Sequence, residues 1–136
     1  MPFDSYFTGP REDVLRENVL KPNEIMTEVF IPTPAPGTKQ AWTKLKNRQV
    51  YDFAVVAVAA AFTVDGENWK DGRIVLGGVS PVPYRATVIE NQIKGKSVKA
   101  GIQQAAAALR TVARPMSMNA YKIDVAQNMV ERTVLN

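Results

Sequence analysis

The sequence predicts an α+β fold: an antiparallel sheet of three to four strands from the N-terminal half, packed with about three helices from the C-terminal half as a two-layer sandwich. Apolar residues alternate in the first half of the chain, whereas they recur at helical spacing in the second half. The composition, 46% apolar and 22% charged over 136 residues, is typical of one globular domain with a sizeable core. We expect residues 1–22 to be an interdomain segment and residues 23–136 to form the domain.

Strands are predicted where alternation is bounded by turn-forming residues. The segments with this pattern are residues 25–31, 39–47, 52–64 and 72–80. The alanines of the third segment would also suit a helix, but the Asp-Gly pairs that follow it are typical of hairpins. As a strand it has one face of large residues for the core. Its other face carries the small residues Ala57, Ala59 and Ala61, which allow another element to approach closely.

Helices are predicted for the rest of the chain. The first covers residues 84–95 and ends at Gly95, since glycine commonly follows a helix C-terminus. Ser97 is predicted to cap a second helix, which runs until Pro115 breaks it. A third begins at Asn119. Apolar residues at helical spacing give the buried stripes of these last two helices: Val98, Ile102, Ala105, Leu109 and Val112, then Ile123, Ala126, Val130 and Val134.

Composition excludes several classes of function. The chain has no cysteine and no histidine, so we predict no metal site and no catalytic residue, and Ser80 and Ser117 have no base to activate them. The net charge of +4 is mild and scattered, which argues against nucleic-acid binding. No apolar run approaches the ~20 residues of a membrane span. The N-terminus lacks a signal-peptide pattern, and we expect a cytoplasmic protein.

A cluster of cations, Lys44, Lys46 and Arg48, precedes the most apolar segment of the chain. The residues alone leave two interpretations open: a solvated strand edge, or a cation that faces a ligand. Trp42 lies beside Lys44 and could pack beneath its ammonium group. Trp69 falls in a segment interpreted as a turn, where it covers the hairpin or, if exposed, marks a partner contact.

Five stretches also follow one another in a fixed order: YFTGPREDVL, LKPNEIMTEVFIP, KLKNRQVYDFAVVAVAAAF, LGGVSPVPYRA and NAYKIDVAQNMV. In this order they resemble the C-terminal domain of the FAD-binding (medium) subunit of molybdenum hydroxylases, the family of xanthine dehydrogenases and aerobic carbon monoxide dehydrogenases. The resemblance implies a domain that closes over the flavin of an oxidoreductase. In such enzymes electrons pass from a molybdenum centre through iron–sulfur clusters to FAD.

The resemblance also implies site residues. Lys44 matches a lysine that reaches the cofactor, and Met26 matches an aliphatic residue that packs near the isoalloxazine ring. Arg48 matches a position on the following loop near the edge of the ring. Asp52 is expected to pin that loop through hydrogen bonds, whereas Lys46 matches no ligand.

The implied partners are an FAD-binding N-terminal domain, an iron–sulfur subunit and a molybdopterin subunit. Because the N-terminal domain would hold most of the FAD, we expect this chain alone to bind it weakly or not at all, and to be inactive alone. A different reading is a non-catalytic interaction or assembly module that no longer binds flavin. Its contacts would use the small-residue face and Trp69, and self-association stays open.

Overall fold

A computed structural model describes all 136 residues. The strands are β1 (Lys39–Leu45), β2 (Val56–Asp65), β3 (Asn68–Gly77) and β4 (Tyr84–Arg85), and they form one antiparallel sheet in the order β1-β2-β3-β4. The helices are α1 (Thr87–Ile93), α2 (Val98–Ala107), the single turn α3 (Leu109–Val112) and α4 (Tyr121–Leu135). A 3₁₀ turn spans Phe3–Ser5. The predicted α+β class is confirmed.

The sheet has one face covered by helices and one face free of them. Along β2 the large residues Val56, Val58 and Phe62 are buried, whereas Ala57, Ala59 and Ala61 alternate with them on the opposite side. On β1 the hydroxyl of Thr43 is hydrogen-bonded to that of Thr133 in α4, so Thr43 faces the helices. The two faces predicted for the third strand are therefore confirmed.

The core lies between the sheet and the helices. It combines the large face of β2 and β3 with one side of α1, α2 and α4 in a single cluster of 17 buried apolar residues. Burial of this surface is the main source of stability for a domain without disulfides. Glu90 of α1 is the charged residue inside this layer, and its carboxylate accepts hydrogen bonds from the Ile74 amide at 2.9 Å and from Arg85.

Several element boundaries differ from the predictions. The helix predicted from residue 84 begins at Thr87, because Tyr84 and Arg85 pair with β3 as the short strand β4. The single helix predicted after Ser97 is interrupted at Ala108, while Ser97 caps it as predicted by accepting the Ala100 amide. Gly95 follows α1 with φ +76°, a conformation that glycine adopts without strain. None of the helices has the length and apolarity that a membrane span requires.

Trp69 is not in a turn, contrary to prediction. The β2–β3 turn closes earlier, at Asp65–Asn68, with Gly66 at φ +59°, so Asp71-Gly72 lies within β3. Trp69 is 1% exposed and stacks on Phe62 with ring centroids 4.5 Å apart. Gly72 leaves room for this pair, since a Cβ atom there would lie 2.4 Å from the Cβ of Phe62. Trp69 is therefore a core residue, and an exposed partner contact through it is excluded.

The first predicted strand does not form. Residues 25–31 form no helix, strand or turn and make no backbone hydrogen bond, and their apolar side chains are exposed. The alternating pattern that predicted a strand is present, but the chain supplies no neighbour for its backbone. We call residues 25–31 the extended segment, after the strand pattern of their sequence. The predicted boundary at residue 22 stays a prediction.

Candidate functional site

The cation cluster lies where β1 leaves the sheet. Because Thr43 faces the helices, its neighbours Trp42 and Lys44 face the opposite, helix-free side. There Lys44 is paired in register with Ala57, and Trp42 with Ala59. We call the side formed by Gln40, Trp42, Lys44, Ala57, Ala59, Ala61, Arg73 and Val75 the helix-free face.

A shallow groove of about 410 Å³ crosses this face. Alanines form its floor, and Trp42 borders it on β1, where the indole is 65% exposed. Arg73 and Val75 border it on β3. A floor of methyl groups lets a flat group approach the backbone of the sheet closely. The groove is therefore suited to a planar ring or to another protein surface.

Lys44 is one of two free cations on this face, the other being Arg73 on β3. Its ammonium group makes no ion pair and no hydrogen bond, and it lies 5.8 Å from the centroid of the Tyr51 ring. The aromatic neighbour predicted for it was Trp42, so that alternative is replaced by Tyr51, which is fully exposed. Tyr51 was missed because it lies seven residues away, and only the return of the loop brings it over Lys44. A half-buried cation without an anion can interact with a negatively charged ligand.

The loop that carries Tyr51, residues 46–55, is held by three hydrogen bonds to the Asp52 carboxylate and one hydrogen bond from Lys46. Arg48 donates to Asp52 through two nitrogens, at 2.8 and 3.1 Å, and the Phe53 amide donates to the same carboxylate at 2.9 Å. Lys46 donates to the Val50 carbonyl at 3.0 Å. Asp52 thus makes the hydrogen bonds expected of a residue that pins the loop. We call residues 46–55 the β1–β2 loop.

The Arg48 guanidinium holds the pKa of Asp52 below its usual range, and the Phe53 amide and the charges of Lys44 and Lys46 act in the same direction against a smaller desolvation effect. The same hydrogen bond raises the pKa of Arg48. At neutral pH both groups are therefore charged, and the loop is clamped.

We expect acid to release this clamp. Because the pKa of Asp52 is lower in the folded chain than in the unfolded chain, its contribution is complete above about pH 4 and is lost as pH falls through the lowered pKa. The chemical shift of the Phe53 amide, followed by NMR from neutral to acid pH, should report the release. Asp52→Asn should remove that titration. A Phe53 amide that titrates equally in this variant would contradict the clamp.

The predicted cofactor residues are not all brought together. Arg48 is bonded to Asp52, and Lys44 is near enough for its charge to lower the pKa of the same carboxylate, but no contact joins Lys44 to Arg48. Met26 lies in the extended segment, and no hydrogen bond, ion pair or ring contact joins that segment to Lys44. The proximity of Met26 to a ring on Lys44 stays a prediction.

A larger groove lies elsewhere. It measures about 600 Å³ and is enclosed by the N-terminal loop, the end of β3 and the connection between α3 and α4. Lys122 on its wall donates to the Gly78 carbonyl at 3.0 Å. None of the predicted cofactor residues lines this groove, and none lines the groove on the helix-free face, which Lys44 flanks from the next row of that face.

Comparison with known proteins identifies the family of the domain. The family model described as the CO dehydrogenase flavoprotein C-terminal domain matches residues 40–136, which is most of the chain and includes all of the sheet except Lys39. The chain belongs to this family. The resemblance seen in the five ordered stretches is thereby confirmed.

Relatives of this CO dehydrogenase flavoprotein C-terminal domain are longer proteins. The chain is 33% identical over 111 residues to the aldehyde oxidoreductase FAD-binding subunit PaoB of Escherichia coli K12, covering 82% of this chain and 32% of that protein. It is 32% identical over 139 residues to the carbon monoxide dehydrogenase medium chain of Hydrogenophaga pseudoflava, covering 98% of this chain and 46% of the other. The chain thus spans less than half the length of the curated relatives it matches.

A solved structure shares the fold across nearly the whole chain. Carbon monoxide dehydrogenase from H. pseudoflava, in a form lacking the Mo-pyranopterin moiety of its cofactor, matches with a TM-score of 0.82 and 31% identity. The match covers 97% of this chain and 46% of that one. The domain fold is therefore the same in both proteins.

Proposed function

We propose that this chain is the part of an FAD-binding oxidoreductase subunit that closes over the flavin ring, with its helix-free face toward a second domain that holds most of the FAD. The observation that carries the proposal is the position of Lys44. Its unpaired ammonium group lies on the face that no helix covers, beside the β1–β2 loop, whose conformation is held by the hydrogen bonds between Arg48 and Asp52.

The residues present fit an isoalloxazine ring. The ring is flat and largely apolar, and alanine methyl groups under the groove allow it to lie close to the sheet. Its polar edge gains negative charge on reduction, and a fixed cation in a partly dry site stabilises such charge. When bound, FAD would supply the electron-transfer chemistry, which no side chain of this domain can perform.

Each site residue then has a defined role. Lys44 provides the positive charge, and the Tyr51 ring lies beside its ammonium group as a cation–π neighbour. Arg48 bonds to Asp52 and so holds the β1–β2 loop in the conformation that positions Tyr51. We also propose that the Arg48 guanidinium contacts the edge of the isoalloxazine ring. Met26 would reach the ring only if the extended segment approaches it in the assembled protein.

The proposed partners follow from the family. An FAD-binding N-terminal domain would occupy the helix-free face, and an iron–sulfur subunit and a molybdopterin subunit would complete the electron path. The names of the relatives, an FAD-binding subunit of an aldehyde oxidoreductase and a medium chain of a carbon monoxide dehydrogenase, support an assembly of several chains. This chain would be inactive alone, because it offers only one side of the flavin site.

A second function is favoured by the same exposed surfaces. The helix-free face and the extended segment would also suit an assembly module that binds protein and no flavin. Titration of FAD into the isolated chain, followed by flavin fluorescence, tests whether the chain alone binds FAD.

The decisive comparison uses a hybrid protein. In the E. coli aldehyde oxidoreductase FAD-binding subunit, the portion that matches this chain is replaced by this chain, and we call the hybrid the fused chain. A fused chain that folds without FAD would support the assembly module and overturn the flavin proposal.

Replacing Lys44 tests the cation. In the fused chain, Lys44→Ala should make the flavin reduction potential more negative by about 30 mV, equivalent to about 1.4 kcal/mol for a two-electron couple. Removal of the positive charge destabilises the reduced ring, and weaker FAD retention should accompany it. Dye-linked potentiometry measures the potential, and Lys46→Ala is the matched control because Lys46 bonds to the Val50 carbonyl instead. Equal potentials for both variants would remove Lys44 from the site.

A further inference from the structure

We propose that a second site of this chain binds a small organic molecule with an apolar body and one carboxylate group. The site is the groove of about 600 Å³ between the N-terminal loop, the end of β3 and the connection between α3 and α4. We call it the α4 groove, because Lys122 and Ile123 in the first turn of α4 line it. It shares no residue with the groove on the helix-free face, so the proposal is independent of the flavin site.

The walls of the α4 groove are formed by the fold itself. The N-terminal loop is closed by an antiparallel bridge between Phe7 and Asn18, and α4 is joined to the end of β3 by the hydrogen bond from Lys122 to the Gly78 carbonyl. The volume lies within the ~300–1,000 Å³ that is usual for small-molecule sites. Enclosure by three parts of one chain favours a small molecule over a segment of another protein.

The interior of the α4 groove is apolar. Leu76, Leu109 and Ala126 line it and are buried, and the half-buried Val79 and Ile123 line it as well. These side chains come from both the sheet and the helices. An apolar group that covers them removes hydrocarbon surface from water, which favours binding.

The charged residues of the α4 groove are mainly cations. Arg11, Arg114 and Lys122 line the groove, whereas Glu12 is its one carboxylate. None of these four residues belongs to an ion pair. The groove therefore has two positive charges in excess, and an anionic group on the ligand would complement them.

Lys122 lies at the positive end of a helix. In the first turn of α4 the helix dipole favours anions and disfavours cations. Asp124, the acidic residue of that turn, is paired with Arg110 and does not line the groove. One hydrogen of the Lys122 ammonium group bonds to the Gly78 carbonyl at 3.0 Å, which fixes the group and leaves two donors free. A carboxylate bound there would interact with the lysine and with the helix N-terminus together.

Arg114 provides a second cation whose position is fixed. Its Nη1 atom donates to the Thr111 carbonyl at 3.3 Å and to the Ala113 carbonyl at 2.9 Å, so the guanidinium is held against the end of α3. Its Nη2 and Nε atoms make no hydrogen bond within the chain. Two parallel N–H groups on one edge of a guanidinium match the two oxygens of a carboxylate. The apolar interior favours a carboxylate on a hydrocarbon body over a strongly hydrated inorganic anion.

Two ligands that differ in charge test the role of the carboxylate. Naphthalene-2-carboxylate and its neutral carboxamide have the same ring system and nearly the same size. Added to the isotope-labelled isolated chain, the carboxylate should shift the amide NMR signals of Leu109, Asn119 and Ile123 with a Kd below about 1 mM, and the carboxamide should bind at least about tenfold more weakly. The absence of shifts up to about 10 mM carboxylate, or equal affinity for the two ligands, would overturn the proposal.

Replacing a cation of the groove should weaken binding of the carboxylate alone. Lys122→Gln should raise the Kd of naphthalene-2-carboxylate at least about fivefold and leave that of the carboxamide unchanged. Arg11→Gln repeats the test at an exposed loop residue, where the bond to Gly78 is untouched. Lys99→Gln is the control, because Lys99 is exposed on α2 and does not line the groove. Equal weakening of both ligands, or no effect of either groove variant, would contradict recognition of the charge.

Binding to the fused chain distinguishes a small-molecule site from a protein contact. Naphthalene-2-carboxylate should shift the same amides in the fused chain as in the isolated chain. Loss of these shifts in the fused chain would show that the rest of the subunit covers the α4 groove, and would overturn the small-molecule proposal. Shifts confined to the helix-free face would place the anion near Lys44 instead and would likewise overturn it.

Discussion

Replacement of Trp69 with alanine is expected to lower the free energy of unfolding by about 3–5 kcal/mol, which is the usual cost of truncating a buried large aromatic residue. The indole is 1% exposed and stacks on Phe62. Its backbone also connects β3 with the turn between α1 and α2, since its amide donates to the Lys96 carbonyl at 2.9 Å and its carbonyl accepts the Gly95 amide at 2.8 Å. Loss of the ring would open a cavity where sheet and helices meet.

Urea denaturation of the isolated chain measures this effect, and Trp42→Ala is the matched control. Trp42 is 65% exposed on the helix-free face, so its truncation should change the free energy of unfolding by less than about 1 kcal/mol. A loss of similar size for both tryptophans would contradict the assignment of Trp69 to the core and of Trp42 to the surface.

An arginine at position 59 is expected to reduce FAD retention of the fused chain by at least about tenfold. Ala59 lies in the floor of the groove on the helix-free face, between Trp42 and Val75 in the register of the sheet. A long charged side chain there would hold a docked surface away from the sheet or be buried without a partner. The isolated chain should keep its stability, because this face is exposed in it.

The control for this substitution places the same charge on the other layer. Gln103 is exposed on α2, so Gln103→Arg should leave FAD retention unchanged. FAD content after gel filtration, from the ratio of flavin to protein absorbance, measures both variants. Equal retention in Ala59→Arg and Gln103→Arg would show that the helix-free face takes no part in the flavin site.

Patterns confined to one element were readable from the sequence. The alternation of large and small residues along β2 predicted both faces of the sheet, and Ser97 and Gly95 marked the helix ends where the structure has them. These signals are local, because periodicity and capping depend on neighbouring residues alone.

Features that depend on distant residues were misread. Trp69 was assigned to a turn because an Asp-Gly pair lies on each side of it. Only the register between β2 and β3, which is irregular at Thr63 and Val64, shows that the first pair, Asp65-Gly66, forms the turn. β4 was missed because two residues give no periodicity. The extended segment has a strand pattern, but a strand also needs a neighbour, and the sequence cannot show that this chain lacks one.

The candidate site was predictable in part for the same reason. Lys44 was predicted through the family resemblance, and the structure places it half-buried on the helix-free face without an ion pair, whereas its contact with a cofactor stays a prediction. Its neighbour Tyr51 was not identified, because the contact requires the β1–β2 loop to fold back over β1. Asp52 was expected to pin the loop, but its partner Arg48 was not identified, because a spacing of four residues does not establish a hydrogen bond in a loop.

Photolabelling of the fused chain with FAD that carries an azide on its isoalloxazine ring would locate the ring on this domain. Mass spectrometry should find the label on residues of the helix-free face or the β1–β2 loop, between Trp42 and Ala59. Unmodified FAD in excess should suppress it. Label confined to the helical layer, or to the groove near Lys122, would contradict closure of this face over the flavin.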